Sequence, residues 1–188
     1  MKLSRGNVRP TTGKVLGALF SILGASVDIR MEGFLDLFSG TGEVALEALK
    51  RGASNVVAVE SSKARAELIN ARLSQALEKT RVPSDGHCKA KCLCRDARRA
   101  IPILARDGAV FDVIFADPPY GMGWGESLPP LIARHAFMLS QGGFFVLERS
   151  VRDLVCDADG MSGIFAPRDD RIYGDTVLSI YHKIMTRE

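Results

Sequence analysis

The chain has 188 residues, 46% of them hydrophobic and 25% charged, with a formal net charge of +3. That composition excludes a disordered or fibrous chain and fits one globular domain over residues 1–188. No run nears the ~20 apolar residues of a membrane span, and the opening MKLSRGNVRPTTGK has no apolar signal region, so a cytoplasmic protein with no membrane partner is expected.

Residues 1–25 hold an N-terminal segment and a helix. In PTTGKVLGALFSIL, Thr11 or Thr12 is placed to cap, and Val15, Leu16, Leu19, Ile22 and Leu23 form one apolar stripe. GFLDLF reads as a short buried strand ending at SGTG, and EVALEALKRG as a helix stopped by Gly52. NVVAVE is a β-branched strand ending on a carboxylate. SSKARAELINARLSQALEKT is a long amphipathic helix capped by Ser61 or Ser62, with Ile69, Leu73, Ala76 and Leu77 on its apolar face.

CKAKCLC is a third strand. Its Cys92 and Cys94 alternate with Leu93 and read as small buried hydrophobes. A zinc site is not expected, because His87 and the C-x3-C-x-C spacing lack the usual distant C-x2-C pair. ARRAIPILARDG is a short helix interrupted by Pro102, and FDVIFA is a fourth strand. ESLPPLIARHAFML holds a helix that starts after its prolines, and GGFFVLERS is a fifth strand. RIYGDTVLSIY contains two alternating runs about Gly174-Asp175, the signature of a hairpin. The alternation predicts an α/β fold: a mostly parallel seven-stranded sheet with a C-terminal antiparallel hairpin and helices on both faces.

Ligands of such sheets bind at the carboxyl ends of the strands, so the residues at each exit carry the chemical information. After the first strand, Asp36-Leu37-Phe38-Ser39-Gly40-Thr41-Gly42 places two glycines where a backbone must turn tightly or approach a ligand. After the second comes Glu60, at the spacing of an acid that accepts from ribose hydroxyls. After the third, Asp96 either accepts from an adenine amino group or caps the next helix. These exits specify a nucleoside-containing cofactor.

The fourth exit is Asp117-Pro118-Pro119-Tyr120. The Asp117 carboxylate and the Pro118 carbonyl offer two acceptors, and Tyr120 a flat ring, where the prolines remove competing amide donors. That set suits a planar substrate with an exocyclic NH2: the acceptors take its hydrogens while the ring stacks. Holding the hydrogens turns the nitrogen lone pair toward an electrophile. Gly121 to Gly125, with Met122 and Trp124, forms a candidate mobile lip over the base.

DLFSGTG, VVAVE, CRDA and DPPYG resemble successive motifs of the class I S-adenosylmethionine-dependent methyltransferases, a Rossmann-like fold. The Asp-Pro-Pro-Tyr form is the mark of members that modify exocyclic or amide nitrogens. Two flanks, RPTTGKVLGALFSIL and RIYGDTVLSIY, are similar to the bacterial 16S ribosomal RNA guanine-966 N2-methyltransferase family. That family usually opens with a longer basic hairpin, whereas only MKLSRGN precedes RPTT.

The resemblance implies that Asp36, Ser39, Gly40 and Gly42 surround the methionine part of S-adenosylmethionine, whose product is S-adenosylhomocysteine. It implies Glu60 with Ser61 at the ribose, and Asp96 with Ala97 at the adenine. Asp117, Pro118 and Tyr120 would hold the guanine, with Lys89, Lys91, Arg5 and Arg9 as phosphate contacts. The expected partner is ribosomal RNA or a small-subunit assembly intermediate, and a monomer is expected. Competing readings are an N6-adenine DNA or protein-glutamine N-methyltransferase, and a non-catalytic RNA-binding protein on the same fold. A nicotinamide oxidoreductase leaves Asp-Pro-Pro-Tyr without a purpose.

Overall fold

The computed structural model describes residues 13–25, 32–79, 88–156, 161 and 163–185. Five parallel strands alternate with helices: β1 Gly33–Leu37, β2 Asn55–Glu60, β3 Lys89–Cys94, β4 Phe111–Ala116 and β5 Leu139–Ser150. The hairpin β6 Asp169–Tyr173 and β7 Thr176–His182 turns at the expected Gly174-Asp175. The sheet order is β3-β2-β1-β4-β5-β7-β6, with β7 antiparallel to both of its neighbours. The order reverses between β1 and β4, the place where doubly wound sheets open a ligand crevice.

Two apolar layers cover the sheet. Helices α1 Gly13–Ala25, α2 Glu43–Lys50 and α3 Lys63–Lys79 bury Leu19, Phe20, Leu49, Ile69 and Leu73 on one face, against Phe34, Val113 and Phe115. Helices α4 Ala97–Arg106 and α5 Trp124–Arg134 bury Ile101, Leu104, Leu128 and Ile132 on the other. Phe20 stacks on Phe34 at 6.0 Å between ring centroids, which anchors α1 to the sheet. The proposed caps Thr11 and Thr12 lie outside the described residues. Among those described, no helix is long and apolar enough to cross a membrane.

Three local expectations are corrected. Helix α4 runs unbroken through Pro102. The carbonyl of Arg98, which loses its donor there, belongs to an exposed turn, and the buried face of Ala97, Ala100, Ile101, Leu104 and Ala105 holds the helix on the sheet. Helix α5 starts at Trp124, before Pro129 and Pro130, instead of after them. Pro129 frees the Gly125 carbonyl, and the Cys156 amide donates to it at 3.0 Å, so the chain after β5 supplies the bond that the proline cannot. Cys92 is buried as expected, but Cys94 is exposed because it closes an edge strand with no neighbour beyond it.

Gly125 is where that same chain passes closest to α5. A Cβ at this position would lie 2.1 Å from the Leu154 carbonyl oxygen, part of the backbone. Gly125→Ala should therefore destabilise the protein by roughly 1–3 kcal/mol through overpacking. Gly17→Ala in α1, with nothing within 4 Å of the new Cβ, should stabilise it by about 0.5–1 kcal/mol. Urea midpoints for the two variants check this; equal midpoints would refute the close approach.

Candidate active site

Strand register aligns the site. Val59 of β2 pairs with Leu37 of β1, Leu37 with Ala116 of β4, and Ala116 with Leu147 of β5. All four side chains enter the core layer beneath α4 and α5. Because successive strand residues alternate faces, the next residues of three of these strands, Glu60, Asp117 and Glu148, turn to the opposite face at the carboxyl edge. Asp36, one residue before Leu37, joins them. Four acids from four adjacent strands thus occupy one edge of one face, flanking the crevice.

The β1 exit folds back sharply. Phe38 takes φ 66°, a left-handed conformation that is costly for a non-glycine residue, and its ring packs edge-on against Trp124 at 4.6 Å. Gly42 takes φ 80° and faces Ile69 of α3 so closely that a Cβ would meet its Cγ1 at 3.0 Å. Asp36, only 1% exposed, accepts the Ser39 hydroxyl at 2.5 Å and the Ala45 amide of α2. Ser39 therefore positions Asp36. Burial pushes the Asp36 carboxyl up to about 7, with the Asp117 and Glu60 charges adding, against the hydrogen bonds that lower it.

Glu60 shows the opposite balance. Burial would raise it, yet the Arg65 guanidinium at 2.7 Å, the Ser62 amide at 2.7 Å and the Gly40 amide at 3.1 Å outweigh burial and hold it below the usual glutamate range. The Ser61 hydroxyl adds a longer contact at 3.4 Å. Gly40 is thereby tied to the Glu60 carboxylate across the β1–β2 gap. Asp96 caps α4 by accepting the Arg98 amide through Oδ1 at 2.9 Å, and Ala97 behind it is buried.

At the β4 exit Pro118 is buried, whereas Tyr120 is 40% exposed with its ring at the surface of the crevice. Its hydroxyl lies 3.4 Å from both Glu148 Oε1 and Thr176 Oγ1. Burial first, then the carboxylates of Glu148 and Asp117, push the phenol up to about 12, so it stays neutral. The Gly121 amide donates to Asp153 Oδ1 at 3.0 Å, joining the β4 and β5 exits. Trp124 corrects the lip expectation: it is 6% exposed, the first residue of α5, with Arg98 over its ring at 3.7 Å. Met122 is exposed.

Sequence reasoning missed Glu148. The available signal was a lone acid inside the apolar run FFVLERS. Lys89 and Lys91 are exposed on edge strand β3, whereas Arg5 and Arg9 lie outside the described residues.

This strand order, with the Gly-x-Gly turn after β1 and acids along the carboxyl edge, defines a class I methyltransferase fold. The chain belongs to the family described as Conserved hypothetical protein 95, which matches residues 1–182. It is similar to "Putative rRNA methyltransferase YlbH" of Bacillus subtilis, 31% identical over 177 residues, 94% of this chain and 89% of that one. It is also similar to "Ribosomal RNA small subunit methyltransferase D" of Escherichia coli, 29% identical over 144 residues, 74% of this chain and 63% of that one. The solved structure of "Putative methyltransferase yhhF" from Escherichia coli shares the fold with a TM-score of 0.70 at 23% identity, over 95% of this chain and 89% of that one.

Asp36 makes stability pH-dependent in a direction that can be measured. Its carboxyl rises from 3.8 to about 7 on folding, so the folded state binds that proton more tightly. The resulting stability is full below the unfolded value and is lost as pH rises through about 7. Asp36→Asn abolishes that loss. Its stability relative to wild type should increase by up to roughly 4 kcal/mol between pH ~4 and pH ~8. Urea unfolding at both pH values gives the difference, and a constant offset would contradict the buried, proton-binding carboxyl.

Proposed function

We propose that this chain transfers a methyl group from S-adenosylmethionine to the exocyclic N2 amine of a guanine in small-subunit (16S) ribosomal RNA. The observation that carries this reading is the electrostatic character of the strand edge. Burial and like charge push Asp36 and Glu148 upward, and both lie beside Asp117. Such an edge favours occupants that bring positive charge and N–H donors. S-adenosylmethionine fits, because when bound it supplies a methyl group on a positively charged sulfonium.

The residues divide the work. Asp36, steadied by Ser39, faces the methionine part together with the Gly40–Gly42 turn. Glu60, kept ionised by Arg65 and the Gly40 amide, accepts from the ribose beside Ser61. Asp96 spends Oδ1 on its helix cap and directs its other oxygen to the adenine, which Ala97 backs with a small apolar surface. Asp117 and the Pro118 carbonyl accept the hydrogens of the guanine amine, and the Tyr120 ring stacks on the base. Positioning and desolvated acceptors, instead of a strong base, make the nitrogen nucleophilic. A base inside a duplex cannot reach this crevice, so the target is single-stranded or flipped out. Exposed Lys89 and Lys91 supply phosphate contacts. The names of the two relatives, both ribosomal RNA methyltransferases, support the substrate class.

Purified protein with labelled S-adenosylmethionine should label 16S RNA in small subunits, and nucleoside mass spectrometry should identify N2-methylguanosine. Label in DNA, protein or adenosine would overturn the assignment. Asp117→Ala should abolish transfer while calorimetry shows near-wild-type S-adenosylmethionine affinity. Glu60→Gln should weaken that affinity by roughly 1–3 kcal/mol, the loss of a charge-assisted hydrogen bond; unchanged affinity would remove Glu60 from the ribose.

A further inference from the structure

Glu148 is the acid that the fold does not explain. It is 4% exposed, and among the described residues its Oε2 is fully buried without a hydrogen-bond partner, while Oε1 has only the long 3.4 Å contact to the Tyr120 hydroxyl. The adjacent cation does not serve it. Arg149 turns to the other face of the sheet and is occupied there by Ser179 and Asp170, each at 2.8 Å. Opposite Glu148 on β7 stands Leu178, which offers no donor side chain. A buried, unmatched carboxyl oxygen is costly to a folded protein, and one beside a substrate crevice points to a ligand that brings the missing donor.

The bases that carry an exocyclic amine differ in what lies next to it. In adenine and cytosine the neighbouring ring nitrogen on the pairing edge is a bare acceptor. Guanine alone presents a donor there, N1–H, beside its N2 amine. Glu148 follows Leu147 on β5 as Asp117 follows Ala116 on β4, and those two predecessors are paired, so the two carboxyls stand side by side. An acceptor holding the amine therefore has a second acceptor directly beside it.

We propose that Glu148 reads the base, its Oε2 accepting guanine N1–H while Asp117 and the Pro118 carbonyl hold the N2 amine. This rests on the guanine-N2 reading above and adds to it the residue that selects guanine. An ionised Glu148 repels the lone pair of adenine N1 or cytosine N3 and attracts N1–H. Burial first, then the Asp117 charge, push the carboxyl upward, whereas the guanine donors favour its ionised form, any proton on it passing to solvent as the base enters. The Tyr120 hydroxyl, shared between Glu148 and Thr176, meets Oε1 and leaves Oε2 without a partner among the described residues.

The test changes the donor pattern on each side of the contact. The guanosine modified in small-subunit RNA is mapped by mass spectrometry, and 2-aminopurine, which keeps the C2 amine but lacks N1–H and O6, is ligated in at that position before the particles are assembled; the change of preference in the Glu148 variants isolates the N1 contact. Wild-type protein should prefer guanine to 2-aminopurine by roughly tenfold to a hundredfold in kcat/KM. Glu148→Gln, whose amide can donate to bare N1, should lose most of its activity on guanine and bring that preference close to one. Glu148→Asp keeps an acceptor-only group and should retain the preference at lower rate. S-adenosylmethionine affinity should stay within about twofold for both variants. An unchanged guanine preference in Glu148→Gln would overturn the role of Glu148 alone. Wild-type protein that labels no guanosine amine would overturn the guanine-N2 assignment and this inference with it. If Glu148→Gln fails to fold, loss of preference in a folded Glu148→Asp also refutes the proposal, because an acceptor alone would then not be the selector.

Discussion

Everything at the active edge follows from the mutual repulsion of acids confined to one face of one sheet edge. Parallel pairing sets Val59, Leu37, Ala116 and Leu147 in a row, and the alternation of faces then leaves no choice about where Glu60, Asp117 and Glu148 project. Asp36 adds a fourth acid from the same face. Burying carboxyls near one another raises the free energy of their charged forms, so each must find an amide, a cation, a proton or a ligand. The structure assigns different solutions to different positions.

On the β1–β2 side the protein supplies the partners itself. The first turn of α2 gives an otherwise orphaned amide to Asp36, and the Gly40 turn gives one to Glu60. Arg65, one turn into α3, completes the Glu60 shell. These bonds explain why the chain turns so sharply after β1, with Phe38 in a left-handed conformation and Gly42 pressed against Ile69. The strain at the turn is offset by the two apolar layers that clamp β1 from both sides. On the β4–β5 side Glu148 keeps one oxygen unmatched among the described residues. Tyr120 and Thr176 make long contacts, and the backbone there is depleted of donors by Pro118 and Pro119.

Much of this was legible from residues in order. NVVAVE and FDVIFA are strands at the bounds read from their composition, because a β-branched or aromatic run buried on both faces has no competing arrangement. Gly174-Asp175 specifies a two-residue hairpin turn by its backbone demands alone. The prolines misled in both helices for one reason: local propensity counts the lost donor but cannot see what replaces it. For Pro129 the replacement is the Cys156 amide, from the chain after β5, and for Pro102 the residue that loses its donor, Arg98, is exposed. Trp124 sits among glycines in sequence but is fixed by Phe38 and Arg98, which come from different elements. Cys94 alternates like a core residue, yet the edge position of β3 decides its exposure. Glu148 was hidden by the same limit, since an acid at a strand end declares itself only when the neighbouring strand is known to carry another.

The contrast between the two halves of the edge accounts for the stiff exit of β4. A carboxylate nearly saturated by donors, as Glu60 is, is held ionised and fixed by the protein itself. A carboxyl with an oxygen unmatched among the described residues, as Glu148 has, is open to donors from a ligand. Two consecutive prolines keep the backbone from supplying those donors itself, because neither has an N–H to offer. The same prolines fix the direction in which Asp117 and the Pro118 carbonyl face. The rigidity of Asp-Pro-Pro-Tyr thus holds the Asp117 carboxylate and the Pro118 carbonyl in place at the strand exit, so that the proposed amine-bearing base would meet them already oriented.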